Sequence, residues 1–124
     1  MSFNLRALKA VCPEDHTYKA ALYTGEVMHE KYSPEGEIKG FGYTAGGNVL
    51  TGYRVVEENG EAALYFRTTE WVDADIKTRS ALIYDATTGD KVSVMVFPRS
   101  VGVIGGLFEL KIPDQGVVRL GGAE

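Results

Sequence analysis

Short apolar runs separated by glycine are the feature that most constrains the fold of this chain. Glycine supplies 15 of the 124 residues, about 12% against a usual ~7%. Most of these glycines lie between apolar runs that are too short for core-packing helices. This spacing is typical of an all-β domain with many tight turns. The length suits one domain with a single hydrophobic core.

Two hairpins are the strongest local predictions. Asn59 and Gly60 separate two apolar runs, and Asn-Gly favours the two positive-φ positions of a type I′ turn. Residues 79–85 and 91–97 flank a second turn that contains Gly89. Both of these arms are apolar on both faces, which is typical of strands buried on both sides.

Further strands are predicted at residues 17–24, 107–113 and 117–120. We therefore predict an all-β fold, an antiparallel β-sandwich of jelly-roll or Greek-key type with about seven or eight strands. This domain spans residues 17–124, after an N-terminal segment at 1–16 that forms a short helix or an extended arm. The residues expected in its core are Leu22, Leu64, Phe66, Leu82, Ile83, Val94, Val96, Phe108 and Leu110.

The polar, glycine-rich segment at residues 25–47 is the longest stretch without a strand pattern. Structureless connections of this length in a compact domain are usually functional or interfacial. The segment also contains Phe41 and Tyr43, which are hard to bury within one small monomer. We expect these aromatic residues and the apolar N-terminal residues to be covered on assembly.

Charge and cysteine content exclude several classes of function. Lys and Arg number 13 against 17 Asp and Glu, a formal net charge of −4, which disfavours nucleic-acid binding through a basic face. Arg6 and Lys9 interrupt the apolar residues near the start, so we predict no signal peptide and no membrane span. Cys12 is the only cysteine, so no intrachain disulfide can form.

Two pairs of residues are candidates for catalytic groups. Cys12 and His16 are four apart, as in a thiolate–imidazole pair, but Pro13 makes helical spacing across them unreliable. Asp73 and Asp75 could form the carboxylate pair of a glycosidase, although a solvated loop or strand edge is the more ordinary interpretation. We predict that the chain has no catalytic residue and is not an enzyme.

Motifs for cofactors and metals are incomplete in this sequence. Residues 40–46 read G-x-G-x-x-x-G, one residue too long for the dinucleotide fingerprint, and a strand pattern follows where a helix would be needed. His29 has no second histidine four residues on, and two histidines with one cysteine do not make a structural zinc site. We expect neither a cofactor nor a metal ion.

Aromatic and basic side chains supply the candidate interaction residues. Trp71, with Tyr65 and Phe66 nearby, could form a platform on which a sugar stacks, although a lone tryptophan is more often part of the core. Arg79 could pair with a carboxylate across the sheet or across an interface. The candidate interaction residues are Phe41, Tyr43, Trp71 and Arg79.

The linear order of these pieces resembles a family of small structural proteins of tailed bacteriophages, of the head-decoration, head-fibre or minor-tail type. The glycine-rich signature at residues 40–48 and the R-x-A-L-I-Y strand at 79–84 carry most of the resemblance, which covers residues 17–120. Residues 96–100 depart from the family pattern, so we expect a remodelled loop at 98–106. The other similar segments are 18–24, 69–71, 94–97, 108–113 and 118–120.

The resemblance implies a capsid decoration, cement or head-fibre module on the surface of a virion. Its expected partners are other copies of the chain, as a homotrimer by analogy with decoration proteins at local threefold positions, and the major capsid protein or another virion protein. Before assembly it would reside in the host cytoplasm. The alternative is a tail-associated or carbohydrate-binding module for host contact, in which Trp71, Tyr43 and Tyr65 would line one open surface.

Overall fold

The chain folds into two antiparallel sheets, with strand orders β2-β1-β5-β6 and β3-β4-β7. The computed structural model describes residues 3–120, and side chains from Arg6 onward. The predicted antiparallel all-β sandwich is confirmed, with seven strands among the described residues. The elements are α1 (Phe3–Val11), β1 (Tyr18–Tyr23), β2 (Asn48–Val49), β3 (Arg54–Glu58), β4 (Glu61–Tyr65), β5 (Thr69–Asp85), β6 (Lys91–Leu110) and β7 (Val118–Leu120).

The predicted turns form where local chemistry favours them. Asn59 and Gly60 have φ values of 54° and 81° and join β3 to β4, as expected for a type I′ turn. Gly89, with φ 87°, lies in the turn between β5 and β6. Both hairpins depend on residues adjacent in sequence, and for that reason short-range patterns predicted them.

The main core lies between the two sheets. Leu22 of β1 and Ile83 of β5 meet Leu64 of β4 there, and Leu8 of α1 belongs to the same cluster. Helix α1 contacts β3, β4 and β7. Leu8 is therefore covered within one chain, contrary to the expectation that the apolar N-terminal residues are covered on assembly. Val11 is largely exposed, and the side chains of Phe3 and Leu5 lie outside the described residues.

The outer face of the four-stranded sheet carries a second, smaller cluster. Ala21, Tyr23, Leu82 and Tyr84 are buried there, with Val27 and Tyr32 of the 25–47 segment packed against them. Successive residues of a strand face opposite sides of its sheet, so β1 and the last third of β5 are buried on both faces. The prediction of a doubly buried strand is confirmed for β5, which lies between β1 and β6.

Strand β6 corrects three predictions. Residues 98–106 form no separate loop, because β6 runs through them as one strand of 20 residues with irregular pairing to β5. The strand is also the edge of its sheet, and no residue of its arm at 91–97 is fully buried, so that arm is not doubly buried. Val96 is 47% exposed and Val94 only partly buried, so Val96 was wrongly assigned to the core. The other seven predicted core residues are buried.

Replacing Leu110 with alanine is expected to lower the free energy of unfolding by about 2–5 kcal/mol. Leu110 is almost completely buried in the main core, so truncation leaves a cavity. The matched control is Val96→Ala on the same strand, where the side chain is half exposed and the loss should stay below about 1 kcal/mol. Urea denaturation followed by circular dichroism measures both. Equal losses would contradict the assigned register of β6.

Candidate interaction surface

A buried carboxylate fastens the 25–47 segment to the sheet. Glu37 accepts hydrogen bonds from the Tyr32 hydroxyl at 2.6 Å, from the Gly46 backbone N–H at 2.7 Å, and from the Tyr43 hydroxyl. The Tyr43 oxygen in turn accepts the backbone N–H of Leu22 at 3.0 Å. Three donors replace the hydration that burial removes from the Glu37 carboxylate. The segment is therefore held in one conformation against β1.

The glycine signature allows the same segment to lie directly on backbone. Gly42 and Gly47 have φ values of 82° and 84°, which side chains rarely adopt. A Cβ on Gly47 would overlap the carbonyl of Ala20, and one on Gly42 would lie 2.9 Å from Ala74. The Asp75 backbone N–H donates to the Phe41 carbonyl at 2.9 Å. These glycines thus serve close backbone packing, and Phe41 is left exposed.

Four register shifts interrupt the hairpin formed by β5 and β6, and two of them lie close together near Trp71. Pairing shifts between Trp71 and Ala74, where Asp73 has a φ of 50°, and again between Ala74 and Ile76. On the opposite strand Gly105 has a φ of 60°, and its N–H donates to Asp75 Oδ1 at 2.7 Å. Bulges redirect side chains and increase local twist. Val72 and Ile104, beside the bulges, are both exposed.

Together these features create an exposed apolar surface, which we call the bulge patch. It consists of Phe41, Val72, Ile104 and Leu107, four of the nine large apolar side chains exposed among the described residues. Backbone pairing brings them to one stretch of the hairpin, since Phe41 bonds Asp75 and Gly106 pairs with Ala74. Exposed apolar residues that gather at one place mark interaction sites.

An open groove of about 980 Å³ adjoins the bulge patch. Ile76, Val101 and Val103 provide apolar lining, and the exposed Lys39, Lys77 and Asp75 provide charges of both signs. A groove of this open, shallow kind is more suited to a chain or a surface than to an enclosed small molecule.

Of the four candidate interaction residues, only Phe41 lies on the bulge patch. Tyr43 is half-buried in the Glu37 network and stacks on Trp71 at 6.1 Å between ring centroids. Trp71 is 3% exposed and belongs to the main core, and its indole Nε1 has no hydrogen-bond partner. Arg79 is half-buried, and its Nε donates to the Phe97 carbonyl at 2.6 Å across a bulge in β6. Tyr43, Trp71 and Arg79 therefore hold the fold together.

Sequence reasoning did not identify Val72, Ile104 and Leu107 as surface residues. The signal that could have found two of them is an apolar residue next to a bulge former, as in Val72-Asp73 and Ile104-Gly105. Phe41 was found because it stands in a glycine-rich polar segment.

The Cys12 and His16 side chains do not form a nucleophile–base pair. The structure contains no hydrogen bond between them in the part of the chain that it describes; His16 Nδ1 instead lies 2.5 Å from Asp85 Oδ2. Burial raises the pKa of the Cys12 thiol, and the Asp85 carboxylate raises it further. A buried thiol held in its protonated form is a poor nucleophile.

The remaining candidates for chemistry lie apart from one another. Asp73 and Asp75 are exposed, and Asp75 caps the Gly105 bulge. His29 Nε2 lies 3.1 Å from the Glu35 carbonyl oxygen. Among residues 3–120, no group of three or more His, Cys, Asp or Glu side chains is placed to hold a metal ion. Nor does any helix within these residues have the length and apolar character needed to cross a membrane.

Comparisons with protein-family models, with curated proteins and with solved structures found no match to this chain. The fold and the surface define a β-sandwich, with seven strands among residues 3–120 and an exposed apolar patch on its longest hairpin.

Proposed function

We propose that the protein is a structural component of a tailed-bacteriophage particle, a decoration, cement or head-fibre module on the capsid surface. The observation that carries this proposal is the order of segments across residues 17–120, above all the glycine signature at 40–48 followed by the R-x-A-L-I-Y strand. In the folded chain these two segments lie close together, because the Tyr84 hydroxyl donates to the Gly46 carbonyl at 2.7 Å.

The physical character of the surface supports a binding role without turnover. The bulge patch is apolar, and the thiol of Cys12 is buried and protonated. A module that binds once and stays bound needs an apolar contact surface and a rigid scaffold, and the Glu37 network supplies that rigidity. The net charge of −4 keeps such a module soluble before assembly.

The proposed working unit is a homotrimer that contacts the major capsid protein or another virion protein. The trimer is assigned by analogy with small decoration proteins that occupy local threefold positions of an icosahedral shell. Phe41, Ile104 and Met28 are exposed apolar side chains that assembly would cover.

Host contact through sugar stacking receives no support from the arrangement of the aromatic residues. That alternative requires Trp71, Tyr43 and Tyr65 on one open surface. Trp71 is buried, Tyr43 is engaged by Glu37, and Tyr65 lies on β4 in the other sheet, where its hydroxyl donates to the Asp114 carbonyl.

Immunogold labelling of purified particles tests the proposal. Particles are isolated by density gradient from the lysate of the phage or prophage that encodes the chain, and antibodies are raised against the recombinant protein. We expect gold on the capsid surface, and loss of the label when the antibody is first absorbed with recombinant protein. Abundant protein in the lysate with none on particles would contradict a virion role, and label confined to the tail would contradict the capsid assignment.

A further inference from the structure

We propose that Asn59 is a site of spontaneous covalent modification, at which the asparagine converts to aspartate and isoaspartate without an enzyme. The inference is independent of the proposed virion role. Asn59-Gly60 is the only place in the chain where asparagine or aspartate precedes glycine. The pair forms the turn between β3 and β4, and the Asn59 side chain there is exposed to water.

The reaction joins a backbone nitrogen to the neighbouring side chain. The Gly60 nitrogen gives its proton to hydroxide and attacks the Asn59 Cγ, and the Cγ–Nδ2 bond breaks as ammonia leaves with a proton from water. The product is a five-membered cyclic imide, whose closure is favoured because both reacting groups belong to adjacent residues. Water then adds to either carbonyl of the ring. Addition at one carbonyl gives aspartate, and addition at the other gives isoaspartate, whose backbone runs through the former side chain.

The residue that follows each asparagine decides its reactivity. Gly60 has no Cβ to hinder the approach of its own nitrogen to the Asn59 Cγ. Asn48 is followed by the β-branched Val49, and its Nδ2 donates to Thr69 Oγ1 at 3.0 Å and to the Glu70 carbonyl at 2.8 Å. A crowded neighbour and two hydrogen bonds hold that amide in place. The chain therefore contains a reactive asparagine and an unreactive one for comparison.

Strand β3 allows the turn to open, which ring closure requires because the Asn59 backbone must rotate. It is the edge of its sheet, and none of its five residues is buried. Glu58 and Glu61 pair directly across the hairpin beside the turn, and like charges in that position destabilise a strand pair. Arg119 Nη1 donates to Glu61 at 2.5 Å and offsets part of this repulsion. Strand ends with few buried contacts open most readily.

The two products differ in what they do to the hairpin. Aspartate keeps the length of the backbone, and Asp-Gly also suits a type I′ turn. Isoaspartate adds one carbon to the backbone, so the two-residue turn no longer fits and the end of β3 separates from β4. Strand β4 stays in place, because β7 pairs with it on its other side.

Peptide mapping of the folded protein after incubation in mildly alkaline buffer tests the proposal. Trypsin separates the two asparagines, because Asn59 lies in the peptide 55–67 and Asn48 in the peptide 40–54. We expect the first peptide to gain the mass difference between an OH and an NH2 group and to split into two forms on chromatography, while the second is unchanged. Conversion in the folded protein should be at most about tenfold slower than in urea, since only the end of an edge hairpin must open. Its rate should rise about tenfold with each pH unit, because hydroxide removes the proton from the attacking nitrogen.

Brief digestion of the folded protein measures the effect on β3. Trypsin cleaves after Arg54 only when β3 is released, because Arg54 pairs with Tyr65 and lies over its ring at 4.7 Å. The fraction that contains isoaspartate should be cut there at least about tenfold faster than fresh protein. The matched control is Asn59→Asp, which adds the charge without the extra carbon and should resist trypsin as the fresh protein does. The proposal is overturned if the folded protein shows no conversion after about ten half-times of the unfolded chain, if Asn48 converts as fast as Asn59, or if the isoaspartate form resists trypsin as well as Asn59→Asp.

Discussion

Replacing Gly47 with alanine is expected to lower the free energy of unfolding by at least about 3 kcal/mol. Gly47 has a φ of 84°, and a Cβ there would overlap the Ala20 carbonyl and approach Ala21. Both neighbours are backbone of the buried strand β1, so neither can move without disturbing the core. The left-handed conformation and the overlap both raise the energy of the folded state.

Gly25→Ala is the matched control for this variant. Gly25 begins the same segment but has an ordinary backbone conformation and no atom within 4 Å of a built Cβ. Alanine there should change stability by less than about 1 kcal/mol, and it can stabilise by restricting the unfolded chain. Chemical denaturation followed by Trp71 fluorescence measures both variants. A loss below about 1 kcal/mol for Gly47→Ala would show that residues 46–47 do not lie on β1.

The protein is expected to unfold steeply between pH 10 and 12, and most of its tyrosines to ionise only as it unfolds. Six of the seven tyrosine phenols have raised pKa values, with burial as the largest cause for each. Burial and the nearby Glu37 raise the pKa of Tyr23 to about 12 and that of Tyr84 to about 12.

The sign of the effect follows from which form the fold prefers. The folded state favours the neutral phenol. Each buried phenol therefore makes its full contribution to the free energy of unfolding below the unfolded pKa of about 10, and loses that contribution as pH rises through its folded pKa. A rise from 10.0 to about 12 corresponds to roughly 3 kcal/mol for a buried phenol. Ionisation of Tyr23 and Tyr84 together would lower the free energy of unfolding by roughly 5 kcal/mol, which is close to the whole stability of many small domains.

Absorbance of the phenolate near 295 nm, recorded with circular dichroism across the same pH range, measures this transition. The two signals should change together. Tyr84→Phe is the informative variant, because it removes one of the six phenols with raised pKa values and its bond to the Gly46 carbonyl, so the dependence on pH should fall by about a sixth. Gradual ionisation centred near pH 10 in a protein that stays folded would contradict the burial of these side chains.

Local sequence patterns predicted the parts of the fold that depend on neighbouring residues. The Asn59-Gly60 turn, the strand at Tyr18–Tyr23 and the buried alternation at Phe108 and Leu110 all formed. In each case the turn chemistry or the period of two is complete within a few residues.

The errors lie where a strand depends on distant partners or departs from regular pairing. Val96 stands in a run that is apolar on both faces, yet β6 is an edge strand and Val96 is 47% exposed. The bulges at Asp73 and Gly105 interrupt the alternation of apolar and polar residues along β5 and β6. The sequence pattern therefore predicted shorter strands with a loop between them. Edge position and bulges arise from the whole sheet and are not encoded in a local period.

The candidate surface was predicted in outline only. The 25–47 segment was expected to be interfacial, and its Phe41 is exposed on the bulge patch. Glu37 was not identified, because a glutamate in a polar stretch looks solvated until Tyr32 and Tyr43 are seen to converge on it. Ile104 reads as one more apolar strand residue, and only its position beside a bulge on an edge strand makes it a surface group.

Cryo-electron microscopy of purified particles tests the virion assignment most directly, with particles from a strain that lacks the gene as the control. We expect difference density at local threefold positions of the capsid, fitted by three copies of the two-sheet fold. Identical maps from the two preparations, together with particles that contain none of the protein by mass spectrometry, would contradict a structural role in the virion.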